Sequence, residues 1–245
     1  MKRVAERPWV LVAAGLDPSG RAGLLADVAA VLDAGGQPLG VATALTAQGR
    51  RFTVSAVAAG LLGAQLDAAL EVARPRAVKV GMVADRRSLA VVRRRVARLG
   101  VPLVVDPVVW SSRGQRLSRL GARDFRGLAG PGVWLTPNVP ELQWLLGRRV
   151  PPRSVDEVKE LGATLLADGF GAVVVKGGHL PGLPVDVLVM RNRVVAFSGA
   201  RLGGGGHRGT GCRFASTLAT ALALGADAVV AVRAARAAVR SYLRS

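Results

Sequence analysis

Short apolar runs alternate with longer amphipathic ones along most of the chain. Runs at 9–14, 40–46, 77–80, 103–105, 133–136 and 172–175 are rich in Val, Leu and Ala. Several are continuous apolar blocks, the pattern of strands covered on both faces. At 22–34, 61–73, 87–99, 139–146, 154–168, 212–224 and 228–243 the spacing predicts helices. In 87–99, for example, Leu89, Val92, Val96 and Leu99 share one helical face, and Arg93, Arg94, Arg95 and Arg98 occupy the rest. Strand–helix alternation of this kind predicts an α/β fold, a mainly parallel central sheet with helices on both faces. A late pair, 185–190 and 194–197 around Arg191-Asn-Arg193, predicts an antiparallel hairpin. No linker-like stretch divides the pattern, so 1–245 reads as a single domain.

Composition narrows this picture only in places. Half of the 245 residues are hydrophobic while aromatics are 4%, so Ala, Val and Leu must build the core. No apolar run approaches the roughly 18 residues of a membrane span. The opening Met1-Lys-Arg-Val-Ala-Glu-Arg-Pro lacks a signal-peptide core, and one cysteine excludes an internal disulfide. A cytoplasmic setting is expected. The net charge of +18 suggests a polyanion partner, but thirty of the 34 basic residues are Arg and they are dispersed. In the last helix Arg233, Arg236, Arg240 and Arg244 recur at helical spacing and read as a solvated face. No zinc-finger spacing or aromatic-interleaved basic patch appears, so no specific nucleic-acid partner is expected.

Candidate chemistry collects where the strands end, which is where open α/β sheets bind ligands. Gly15 to Gly23 follows the first strand and Ala47-Gln48-Gly49 the second. Gly81-Met82, Asp106-Pro107, Pro137-Asn138-Val-Pro-Glu141 and Lys176-Gly-Gly-His179 follow the next four. The densest stretch is Gly203-Gly-Gly-Gly-His-Arg-Gly-Thr-Gly-Cys-Arg213, which opens a helix. Unpaired N–H groups and the helix dipole make such a start an anion site. Cys212 in that first turn is expected to have a lowered pKa and to act as base or nucleophile; an inert core thiol is the other reading. Asn138 reads equally as a helix N-cap with Glu141 completing a capping box.

These segments together resemble the hydroxymethylpyrimidine and phosphomethylpyrimidine kinases of thiamine biosynthesis, in the ribokinase-like superfamily. The residues that carry the resemblance run nearly end to end. They are Ala14-Gly-Leu-Asp-Pro-Ser-Gly-Arg-Ala-Gly-Leu-Leu-Ala-Asp27, Thr43-Ala-Leu-Thr-Ala-Gln48, Lys79-Val-Gly-Met82, Val105-Asp-Pro-Val108, Thr136-Pro-Asn-Val-Pro-Glu141, Val175-Lys-Gly-Gly-His179 and Gly209-Thr-Gly-Cys212. The resemblance implies a three-layer sandwich and phosphorylation of an aminopyrimidine hydroxymethyl group, or of its monophosphate, using ATP and Mg²⁺. It implies that Gln48 reads the pyrimidine edge, that Met82 and Val109 pack near it, and that Asp27 and Gly15 hold the hydroxymethyl end. It places Lys176, Thr136 and Asn138 at the nucleotide and Glu141 with Asp106 at the metal. It gives Gly209, Thr210, Gly211 and Cys212 the phosphoryl chemistry, and it implies a homodimer.

The chain departs from the family at Arg21, Gly49, Trp110 and Arg208, the last standing where the family usually has His. Arg21, Arg50 and Arg208 are expected to form a clamp for a phosphorylated substrate. Two other readings remain: a pyridoxal or pyridoxine kinase, and a kinase-fold regulator that binds the pyrimidine with weak catalysis.

Overall fold

The computed structural model describes residues 7–202 and 207–244; the glycines at 203–206 lie outside the described residues. Among the described residues nine strands form one sheet. They are β1 (Trp9–Leu16), β2 (Gln37–Gln48), β3 (Phe52–Ala56), β4 (Ala77–Val80), β5 (Leu103–Val105), β6 (Val133–Leu135), β7 (Ala172–Val175), β8 (Val185–Met190) and β9 (Arg193–Ser198). Their order is β3-β2-β1-β4-β5-β6-β7-β8-β9. The six inner strands from β2 to β7 run parallel, and β3, β8 and β9 add antiparallel edges.

Among the described residues eight α-helices cover the sheet: α1 (Gly23–Asp33), α2 (Ala59–Val72), α3 (Arg86–Val96), α4 (Ala122–Arg126), α5 (Val139–Leu145), α6 (Val155–Ala167), α7 (Thr210–Ala223) and α8 (Ala228–Tyr242). Strand alternation divides the core into two layers. Val10, Val12 and Ala14 face α1, α7 and α8, whereas Leu11 and Ala13 face the layer containing α2, α3, α5 and α6. The predicted sandwich with a mainly parallel sheet is therefore the observed one.

Element ends moved by a few residues. Ser154 and Asp227 cap α6 and α8 as Asx- or Ser-type N-caps, fixing their starts. Two elements escape the apolar pattern. Strand β3 carries exposed Thr53, Ser55 and Ala56, and an edge strand with one neighbour needs no continuous apolar run. Helix α4 has five residues and buries only Phe125, too short to show a period.

The parity of the parallel strands sets the site. Val80, Val105, Leu135 and Val175 all point into the α2–α6 layer. The next residue of each chain, Gly81, Asp106, Thr136 and Lys176, must point the other way. All four thus converge on the N-terminus of α7. One alternation earlier on β4, Lys79 points to the same side.

Candidate active site

Two cavities open along the carboxyl edge of the sheet. The larger, about 520 Å³, lies beyond β1 and β4, where the chain reverses its direction of travel across the sheet. Gly15, Gln48, Met82, Val108, Trp110 and Leu117 line its outer part, and Asp106, Glu141, Lys176 and Gly209 to Cys212 its inner part. The smaller, about 290 Å³, is lined by Pro184, Arg201, Leu202, Phe214, Arg236, Arg240 and Leu243 among others. Asn138, Lys176, His179, Thr210 and Gly211 border both. The cavities therefore meet at the start of α7.

That start is shaped by Gly209. Its φ of +84° and the carbonyl of Arg21, which a Cβ at this position would strike, leave room only for glycine. As N-cap it offers no side chain to the first N–H groups of α7, so these donors remain for an anionic ligand.

Beneath the helix start lies a cluster of charges. Lys176 Nζ donates to Asp106 Oδ1 at 2.7 Å, with Asp106 buried. Glu141 is buried beside them, and its carboxylate accepts from the Asn138 backbone N–H at 2.8 Å while Asn138 Oδ1 accepts from the Glu141 N–H at 2.8 Å. The capping box is thus real, and it fixes both side chains at the cavity border. Burial, with help from Asp106 and against the pull of Lys176, pushes the Glu141 carboxyl up to about 7. Burial alone would lower the Lys176 ammonium, but Asp106 and Glu141 outweigh it and hold its pKa above the ordinary range.

The Glu141 shift has a testable sign. Its folded pKa of about 7 exceeds its ordinary 4.5, so protonation stabilises the fold. That contribution is fully present below about 4.5 and is lost as pH rises through about 7. Glu141→Gln keeps an acceptor for the Asn138 N–H and mimics the protonated form. At pH 8 it is expected to stabilise the ligand-free protein by about 1–3 kcal/mol, with no gain at pH 4.5. Melting curves of both proteins across that range check it; parallel pH dependences would remove Glu141 as the source.

Cys212 differs from its sequence expectation. Burial, together with the carboxylates of Asp27 and Asp106, pushes its thiol up to about 12, against the favourable Lys79 charge and a hydrogen bond from the Gly23 N–H. The helix start and nearby lysines do not offset burial and the two carboxylates, so the group is a thiol at neutral pH.

Three further expected site residues sit behind the cavity wall. Asp27 is fully buried on α1 and does not line either cavity. Its Oδ2 accepts from Lys79 Nζ at 2.6 Å and its Oδ1 from Ser216 Oγ at 2.8 Å, tying α1, β4 and α7 together. Each carboxylate oxygen is engaged inside the protein and neither reaches a cavity where a substrate hydroxymethyl group would sit. Thr136 is buried and its hydroxyl lies 3.4 Å from Asp106 Oδ1, so it backs that carboxylate and lines no cavity. Val109 turns into the core, and its neighbour Val108 faces the cavity instead. Gly15, Gln48 and Met82 do line the larger cavity.

The arginines also rearrange. Arg21 and Arg50 are exposed and absent from the cavity walls, so the three-arginine clamp does not form. Arg208 alone reaches the cavity, where it pairs with Asp17 at 3.0 Å. Conversely, Arg236 and Arg240 of α8, read from sequence as a solvated face, line the smaller cavity. Arg236 is held by Asp186 at 2.8 Å. Arg233 and Arg244 are exposed as expected. Helical period alone could not separate the two pairs, because the half of α8 facing the β8–β9 hairpin depends on tertiary packing.

The phosphomethylpyrimidine kinase family matches residues 17–245. The chain belongs to that family. The hydroxymethylpyrimidine/phosphomethylpyrimidine kinase of Rhizobium meliloti (strain 1021) is 33% identical over 229 residues, covering 91% of this chain and 86% of the relative. The Escherichia coli K12 enzyme of the same name is 35% identical over 225 residues, covering 89% and 83%. The crystal structure of phosphomethylpyrimidine kinase from Clostridium difficile 630 superposes with a TM-score of 0.81 at 30% identity, covering 97% of this chain and 100% of that one. Pyridoxal kinase from Staphylococcus aureus in complex with AMP-PCP gives a TM-score of 0.88 at 23% identity, with 98% and 89% covered, and shows the shared fold. This kinase is accordingly a ribokinase-like phosphotransferase with an alcohol or phosphate group as acceptor, and its family implies use of ATP. No helix among the described residues is long and apolar enough to cross a membrane.

Proposed function

We propose that residues 1–245 act as one kinase domain that phosphorylates 4-amino-5-hydroxymethyl-2-methylpyrimidine, its monophosphate, or both. The observation that carries this reading is the meeting of two cavities at an uncapped helix start, with Lys176 on the shared wall. The smaller cavity, with Arg236 and Arg240, suits the nucleotide. The larger suits a small ring, with Met82 packed beneath Gly15 and Gln48 at the edge.

Phosphoryl transfer is mostly positioning and charge stabilisation. The N–H groups of Gly209 to Cys212 and the Lys176 ammonium surround the point where the cavities join and stabilise the equatorial oxygens in flight. The substrate hydroxyl attacks the terminal phosphorus, and the bond to the bridging oxygen of ADP breaks. Cys212, a thiol in the resting protein, orients that hydroxyl. Its proton leaves as the new bond forms and is taken by a phosphoryl oxygen.

Mg²⁺ fits the donor set. Asp106 and Glu141 are two buried carboxylates facing a single ammonium. Among the described residues no group of three or more His, Cys, Asp or Glu could hold a metal alone, in keeping with an ion that uses one or two carboxylates plus substrate phosphates. Glu141 and Asp106 would hold it, and it would neutralise phosphate charge. A homodimer in the cytoplasm belongs to the same proposal, supported by family resemblance and the single cysteine.

The test is incubation with ATP and Mg²⁺ and, separately, the hydroxymethylpyrimidine, its monophosphate and pyridoxal, with products read by mass. Phosphate gain on either pyrimidine supports the reading; gain on pyridoxal alone overturns it.

A further inference from the structure

A residue that departs from the family's sequence pattern is also firmly anchored at the ring end of the larger cavity. Arg208 Nη2 donates to Gln48 Oε1 and lies 3.0 Å from Asp17 Oδ2. Asp17 is buried and is itself held by the Ser19 hydroxyl at 2.8 Å. The carbonyl of Arg208 accepts from the Tyr242 hydroxyl at 3.0 Å, and the Arg213 guanidinium stacks on that tyrosine ring at 4.1 Å. Arg208 thus joins the loop after β1, the end of β2 and the end of α8, one residue before the Gly209 cap.

We propose that Arg208 is a positioning residue that fixes the Gln48 amide for reading the substrate ring. The inference rests on Gln48 being the ring contact, as in the preceding reading. A guanidinium has donors and no acceptor, so it admits only the oxygen side of the amide. The nitrogen side is then turned to Thr46, whose Oγ1 accepts from Gln48 Nε2 at 3.1 Å. A free amide can flip and present either end. Held at both ends, this one has one lone pair on Oε1 and one N–H on Nε2 left over. Such an acceptor beside a donor matches a six-membered nitrogen heterocycle whose amino group adjoins a ring nitrogen. A ring lacking that edge finds only half of the pattern. Because Asp17 answers the Arg208 charge, the guanidinium serves the amide and is not a spare phosphate clamp. Its anchorage to the residue before Gly209 sets the ring edge in register with the phosphoryl site.

A double-mutant cycle tests this, using Gln48→Ala, Arg208→Met and the pair, with steady-state kinetics in ATP and in the hydroxymethylpyrimidine. Each single change is expected to raise the pyrimidine KM by about 10-fold, with the ATP KM within about 2-fold of wild type. The double variant is expected to lie within about 2-fold of Gln48→Ala, because Arg208 acts through the amide. Arg208→Lys keeps one donor to Oε1 and should recover most of the loss, and Arg208→Leu replaces Arg208→Met in the cycle if that variant does not fold. Multiplicative single effects, or an equal rise in the ATP KM, would overturn the role. A Gln48→Ala variant with wild-type pyrimidine KM overturns both the ring contact and the positioning. Loss in Gln48→Ala with none in Arg208→Met overturns the positioning alone. If wild type phosphorylates only pyridoxal, the substrate reading has failed, and the same cycle run on pyridoxal still decides whether Arg208 works through Gln48.

Discussion

Lys176→Met is expected to lower turnover by about 10³-fold or more at saturating ATP, the largest single loss in this kinase. Lys176 is the cation on the wall shared by the two cavities, 2.7 Å from Asp106 and facing the start of α7. A fixed ammonium that is mostly buried acts on developing phosphoryl charge far more strongly than one in solvent. Methionine keeps most of the stem and its packing, so the change isolates the charge. It also strips Asp106 of its partner and removes the one charge that lowers the Glu141 pKa, which should then climb further above about 7. Turnover within tenfold of wild type would take Lys176 off the phosphoryl path.

Cys212→Ala comes next, with an expected loss of about 10²-fold in turnover. Cys212→Ser should stay within about tenfold of wild type, because a hydroxyl and an un-ionised thiol can orient the same attacking group. A standing thiolate base would instead leave Cys212→Ser about as slow as Cys212→Ala, since serine cannot ionise near neutral pH. The resting thiol can be probed directly. With its pKa near 12, it should react with iodoacetamide at pH 7.5 at least about 100-fold more slowly than free cysteine. Rapid alkylation would show that the thiol is ionised after all.

How far the sequence anticipates this site depends on whether a feature is local. The α7 start, the capping box of Asn138 and Glu141, and the placement of Asp106 and Lys176 follow from short patterns: a glycine cluster, a three-residue spacing, the residue after an apolar run. All of these were legible. What was not legible depends on which neighbour fills a gap. Asp27 sits in a motif, but only the inward turn of Lys79 shows that its carboxylate is consumed inside the protein. The thiol at 212 looked activated because a helix start is visible in sequence, whereas the two buried carboxylates beside it come from α1 and from the end of β5. Arg236 and Arg240 looked like solvent residues until the β8–β9 hairpin gave them Asp186 and a cavity to border. Trp110 stood out only as an unusual residue; its edge-on contact with Trp144, ring centres 5.1 Å apart, shows how the loop after β5 is pinned beside the pocket.

The buried pair of Lys79 and Asp27 constrains how this lineage can change. A Cβ at Gly81 would collide with the Lys79 ammonium, so that glycine is committed as well. Losing either charge alone strands the other in the core, at a cost of about 3–5 kcal/mol, much of a domain's whole stability. Exchanging both together for apolar side chains could be nearly free, yet every single-step route to that state crosses an intermediate that scarcely folds. The pair can therefore persist by historical entrenchment, whatever it adds to stability or turnover, and descendants of this chain should keep all three positions or change them in concert.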